Sequence, residues 1–170
     1  MKRHVVLMAG LLLAGMAVQA AGPKVESMNA AEAFSRLKTL AGDWEATTQM
    51  GKAHLNIQVI AGGTSVVERE TGDKMPEMMT VYYVDGDRLL LTHYCMAGNQ
   101  PRMQASNFNA ETGEVEFHFL DATNLTTPAA GHMHNAKIRV VDHDHLVTEW
   151  EFYENGKTKV SENAQYARVR

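Results

Sequence analysis

Two short stretches of this chain carry residues able to do chemistry. In Arg88-Leu-Leu-Leu-Thr-His-Tyr-Cys95, the apolar positions Leu89 and Leu91 continue on the same face into His93 and Cys95, because successive strand side chains alternate sides. An imidazole and a thiol at the end of an apolar stripe would form the polar end of a greasy cavity. In His132-Met-His-Asn-Ala-Lys-Ile-Arg-Val140, the same count puts His132, His134, Ala136, Ile138 and Val140 on one face. Two histidines so spaced would lie roughly 6.5–7 Å apart, close enough to share one ion. A third ligand would then have to come from another strand, such as His93 or Glu68. The His-x-His pair lacks the glutamate four or five residues later that a cupin metal site needs, since Ile138 and Arg139 stand there. Pocket polarity is therefore the favoured reading of His132 and His134, with a metal held by His93, His132 and His134 the lesser one, and no cofactor is expected.

A buried neutral His93 needs hydrogen-bond partners. Tyr94 points the other way, whereas Glu68, sharing a face with Val66, could reach it from a different strand. Such a pair could orient a ligand, move a proton or be purely structural. Asn99, Gln100 and Arg102 follow Cys95 at a Gly-Asn-Gln-Pro turn and could meet a polar head group at a rim. Met78, Met79, Met96, Met103 and Met133 are flexible thioethers suited to an adaptable apolar pocket or to ordinary core filling. Met103 and Trp150 join Glu68, His93, His132 and His134 as the expected ligand-contacting residues. Asp142-His-Asp-His145 has the look of a metal motif but falls where a hairpin must turn, and reads as a solvated turn.

The elements that would position these residues are mostly strands. Met28 to Leu40 has a helical rhythm, with Ala31, Phe34, Leu37 and Leu40 on one face, Asn29 or Ser27 as cap and Gly42 as stop. From Trp44 onward ten strands are expected: 44–50, 54–61, 64–71, 78–85, 88–96, 103–109, 114–121, 134–142, 145–154 and 158–168. Turn signals such as Gly62-Gly63, Asp85-Gly-Asp87 and Asn155-Gly156 separate them. The longest connection, Ala122 to Gly131, is of a kind that often stands over an opening. Ten antiparallel strands with short hairpins suit an all-β up-and-down barrel, because closure removes exposed edges. An open two-sheet sandwich is the alternative.

The chain has 170 residues. Lys2, Arg3 and His4, the apolar run Val5–Val18 and the small residues before Ala21 read as a signal peptide over 1–20, followed by a flexible leader at 21–27 and one domain over 28–170. The run is short for a membrane span, and a periplasmic or secreted bacterial location is expected. Without Lys2 and Arg3 there are 14 basic against 20 acidic residues, which disfavours nucleic acid or an anionic membrane as partner. Cys95 is the single cysteine, so no internal disulfide can form.

Leu37-Lys-Thr-Leu-Ala-Gly-Asp-Trp44, a helix running into Gly-x-Trp at the first strand, together with Arg168 in Gln-Tyr-Ala-Arg near the last strand's end, resembles the calycin superfamily of lipocalins, fatty-acid-binding proteins and nitrobindin-like barrels. It looks most like the secreted lipocalin-like proteins of bacteria. The resemblance implies that Trp44 closes the barrel bottom with Arg168 packed against it, and that a small apolar or amphipathic molecule is the ligand. A nitrobindin-like barrel carries a haem-ligating histidine near its C-terminal strands; none lies between Thr148 and Arg170.

Three functions stand open: an exported barrel that binds a small apolar or amphipathic molecule, a histidine-dependent enzyme in the same cavity, and an envelope protein with a filled core. The first is favoured, since no Gly-x-Ser-x-Gly, phosphate loop, dinucleotide fingerprint or His-Glu-x-x-His is present.

Overall fold

A computed structural model describes residues 29–170; the expected signal peptide (1–20) and leader (21–27) lie outside the described residues. A short helix, α1 (Ala30–Lys38), precedes ten strands: β1 (Gly42–Thr48), β2 (Gly51–Ile60), β3 (Ser65–Gly72), β4 (Met75–Asp85), β5 (Arg88–Tyr94), β6 (Gln100–Asn109), β7 (Glu114–Thr123), β8 (His132–Val140), β9 (His145–Glu154) and β10 (Lys157–Arg168). Every strand pairs antiparallel with its sequence neighbours, and β1 pairs with β10, so the sheet is a closed barrel rather than a sandwich.

Local chemistry explains the elements. Asn29 caps α1 through its side chain, and Glu32 reaches back to the Asn29 amide, a reciprocal arrangement that satisfies two otherwise orphaned donors. The helix buries Ala30, Ala33, Phe34 and Leu37, so its inward stripe begins at Ala30 rather than at the expected Ala31. At Asn155-Gly156 both residues have positive φ, 54° and 74°, the twist that lets a two-residue turn join right-handed strands.

Closure runs through one pair of residues. Trp44 and Arg168 are register partners across the β1–β10 seam. The Arg168 guanidinium lies 4.1 Å from the Trp44 ring centroid, and the indole donates to the Leu40 carbonyl at 2.8 Å. The guanidinium also donates to the carbonyls of Thr39, Ala41 and His143. One side chain thus ties the helix exit, the β8–β9 turn and the last strand to a fully buried tryptophan. Gly42 is required beside it: with φ at 137°, a Cβ there would stand 2.5 Å from Arg168 Nη1.

The interior divides into two halves. At the helix end the barrel is solid, with Trp44, Leu89, Leu91, Met103, Val115 and Phe117 fully buried beneath α1. The odd-numbered hairpins, β1–β2 through β9–β10, gather at the opposite end. Along β2 the alternation survives for Leu55 and Ile57 and fails at Val59, which is 39% exposed.

Replacing Trp44 with alanine should lower the unfolding free energy by about 3–5 kcal/mol, the range for removing a buried aromatic. Urea denaturation checks this, and a loss below about 1 kcal/mol would mean that Trp44 does not hold the seam.

Candidate functional site

The open end carries a cavity of about 310 Å³ lined by Met50, Met75, Met78, Met96, Met133, Cys95, Phe152 and Val160. Five of its walls are methionines contributed by four different hairpins. Beneath it lies a small enclosed chamber of about 20 Å³ bounded by Glu70, His93, Thr148, Trp150, Glu162 and Tyr166. Met78, Met133 and Glu162 border both spaces, so the apolar mouth adjoins a polar floor across these three side chains. About 10–15 Å³ is enough for one water, so the floor has room for one small polar group.

His93 is 3% exposed. Its Nδ1 is 3.0 Å from Thr80 Oγ1 and its ring lies 5.0 Å from that of Trp150, tilted by 38°, while its Nε2 is buried with no partner in the protein. Burial lowers its pKa to about 4, so the imidazole is neutral and one of its nitrogens faces the interior unsatisfied. Thr80, not the expected Glu68, is its partner. The register gives the reason: Thr80 sits directly opposite both residues, Glu68 on β3 and His93 on β5, and so separates them.

Glu68 instead accepts from the Tyr82 hydroxyl at 3.1 Å. Burial, reinforced by neighbouring Glu70 and only partly offset by Tyr82, pushes its pKa up to about 8. Glu70 accepts from Tyr166 at 3.0 Å and is also raised, first by burial. The Cys95 thiol lines the mouth and is raised by burial as well.

The second histidine stretch is arranged differently from its strand count. A β-bulge between Met133 and Asn135 shifts the register, and it is Met133, with Ala136 and Ile138, that faces the interior. His132 pairs with Tyr153 instead. His134 is sandwiched between Phe119 and Tyr153, with ring centroids 5.0 and 4.2 Å away. His132 Nδ1 lies 2.8 Å from the Ala130 carbonyl and its Nε2 lies 3.0 Å from His134 Nδ1. Because a carbonyl only accepts, His132 must carry its proton on Nδ1 and accept at Nε2 from His134. The nitrogens that a shared ion would need are bonded to each other. Among the described residues, no three His, Cys, Asp or Glu side chains are gathered to hold a metal.

Other expected residues fall outside both cavities. Met103 is fully buried in the solid half opposite Leu91. Asn99 donates to the Gly131 carbonyl, Gln100 accepts from Thr123 and Asn124, and Arg102 pairs outside with Asp121. Together Asn99 and Gln100 fasten the long β7–β8 connection to the β5–β6 turn at the open end. Asp142 and His145 form an exposed turn. Glu70, Tyr166, Met50 and Met75 were not singled out from the sequence. Glu70 was accessible to the period-two rule, two residues beyond Glu68; Tyr166, on a strand 96 residues away, was not.

No protein-family profile and no curated protein sequence matches this chain. Among solved structures, it is similar to a protein of unknown function from the DUF3598 family of Nostoc punctiforme, at 12% identity and a TM-score of 0.55, over 78% of this chain and 49% of that one. The chain spans about half the length of that neighbour. The likeness is one of fold.

The buried groups fix a pH dependence. Glu68 binds its proton more tightly when folded, so the stability it contributes is complete below about 4.5 and is lost as pH rises through about 8. His93 acts in the opposite sense: its contribution is complete above 6.5 and is lost as pH falls through about 4. The trends oppose one another up to pH 6.5, above which His93 no longer contributes and Glu68 acts with Glu70, raised in the same sense. Unfolding free energy should therefore fall between pH 6.5 and 8, with a slope approaching about 1.4 kcal/mol per pH unit. Glu68→Gln should at least halve that slope. An unchanged slope in the variant would place the titrating proton elsewhere.

Proposed function

We propose that this barrel carries a small apolar or amphipathic molecule, admitted through the methionine mouth with its polar end on the floor beside His93. The observation that carries the reading is the adjacency of the two spaces: an apolar cavity of about 310 Å³, within the size range of small-molecule sites, adjoins a small chamber lined by a histidine whose buried nitrogen has no protein partner. An unsatisfied buried polar atom costs about 1–3 kcal/mol, a cost that a bound polar group or water would relieve. Thioether side chains are flexible and polarisable, and conform to ligands of varied shape.

The likeness to calycin barrels, in which a tryptophan–arginine pair seals one end and the other admits a ligand, supports the same reading, as does the signal-like segment for an exported setting. A catalytic role has less behind it. The Cys95 thiol is held toward its protonated form by burial, whereas a nucleophilic cysteine needs a lowered pKa. His93 leans on a threonine rather than on a carboxylate that would raise its basicity. A filled core describes only the helix end.

The neutral fluorophore N-phenyl-1-naphthylamine should brighten on binding the mature protein, and Met133→Trp, which fills the mouth, should weaken its binding at least ten-fold with the thermal midpoint retained. No fluorescence gain, or equal affinity in the folded variant, would overturn the reading.

A further inference from the structure

We propose that the polar floor is a site for a primary ammonium group, so that the preferred ligand is an alkyl or aralkyl amine whose apolar part fills the methionine mouth. The inference rests on the carrier reading above and adds the chemistry of the head group.

The charged groups bordering the chamber are all acidic. Glu70 and Glu162 border it directly, and Glu68 stands behind Glu70 in the same acidic cluster. No lysine or arginine borders either space, and among the described residues these three glutamates take part in no ion pair. Each tyrosine supplies one hydrogen bond, Tyr82 to Glu68 and Tyr166 to Glu70. An ionised carboxylate has about four lone-pair sites, so most of the accepting capacity stays unused. The second, independent observation is His93, whose Nε2 is buried without a partner at the same chamber. A hydroxyl can donate or accept, so Thr80 serves either His93 tautomer, and a bound ammonium would select the one in which Nδ1–H donates to Thr80 and Nε2 presents its lone pair to the chamber. A ligand group bearing several donors and no acceptor answers this set, and an ammonium is that group. Buried carboxylates without a counter-charge are costly, and an entering cation supplies it.

Size adds a selection rule. About 20 Å³ accommodates a group the size of one water; –NH₃⁺ fits, whereas a trimethylammonium head does not. Charge adds another. The titratable groups that border the chamber are Glu70 on β3, His93 on β5, and Glu162 and Tyr166 on β10, with the Glu68–Tyr82 pair of β3 and β4 beside Glu70, while Thr148 and Trp150 on β9 stay neutral. Burial raises Glu68 and Glu70, so ionising a carboxyl against the entering cation releases a proton, and binding weakens as pH falls.

The test is displacement of N-phenyl-1-naphthylamine by four ligands of one chain length: octylamine, octan-1-ol, octanoate and octyltrimethylammonium, with calorimetry in two buffers of different ionisation enthalpy to count protons. Octylamine should bind at least ten-fold more tightly than the other three, with proton release. Glu70→Gln should bring the affinities of octylamine and octan-1-ol together, and Glu162→Gln, at the border of mouth and chamber, should reduce the octylamine advantage. If octan-1-ol or octanoate equals octylamine while the fluorophore binds, the cation site is overturned and the carrier reading stands. If the fluorophore itself does not bind, the carrier reading falls first.

Discussion

Everything in this barrel depends on the seam between its first and last strands. A ten-stranded meander has only one pairing that is distant in sequence, and a closed sheet exists only if that pairing forms. Trp44 and Arg168 make it with a cation–π contact, worth about 0.5–2 kcal/mol depending on desolvation, and with guanidinium hydrogen bonds to three carbonyls at the helix end. Lysine could not do the same, because a point charge has no planar fork to lie on indole and reach several carbonyls at once.

The closed bottom has a consequence at the top. The helix end is filled with side chains that are fully buried, and this packing supplies apolar stabilisation at about 25 cal/mol per Å². The open end is arranged against stability, with the Glu68 carboxyl pushed up by burial, a histidine nitrogen without a partner, and methionines around a cavity. A chain that keeps such features in one half, beside a half that obeys the packing rules, concentrates its local inconsistencies where binding would occur.

Much of the fold was legible because strands announce themselves by alternation and turns. All ten strands and the helix are present, with ends displaced by up to three residues from those the spacing sets, and the Trp44–Arg168 contact answers to the Gly-x-Trp and terminal arginine. The site was legible only where alternation held. His93 was placed by its stripe, and the floor confirms its inward direction. His132 and His134 were misplaced because a single bulge residue reverses faces, and nothing in His-Met-His-Asn marks which residue bulges. The partner of His93 was misjudged because Thr80 stands between two polar residues that a face count alone sets side by side. Of the methionine mouth, Met78, Met96 and Met133 are among the thioethers the sequence offers for an adaptable pocket, but their meeting with Met50 and Met75 is not legible, since the walls come from separate hairpins that only closure brings together.

The most direct test of where a ligand sits is a ¹³C-methyl methionine spectrum recorded during titration with N-phenyl-1-naphthylamine. The account predicts shifts for the methyls of Met78 and Met133, which border both mouth and floor, with Met103 in the solid half unmoved. Saturating probe that leaves Met78 and Met133 unshifted, or that shifts Met103 instead, would contradict an occupied mouth.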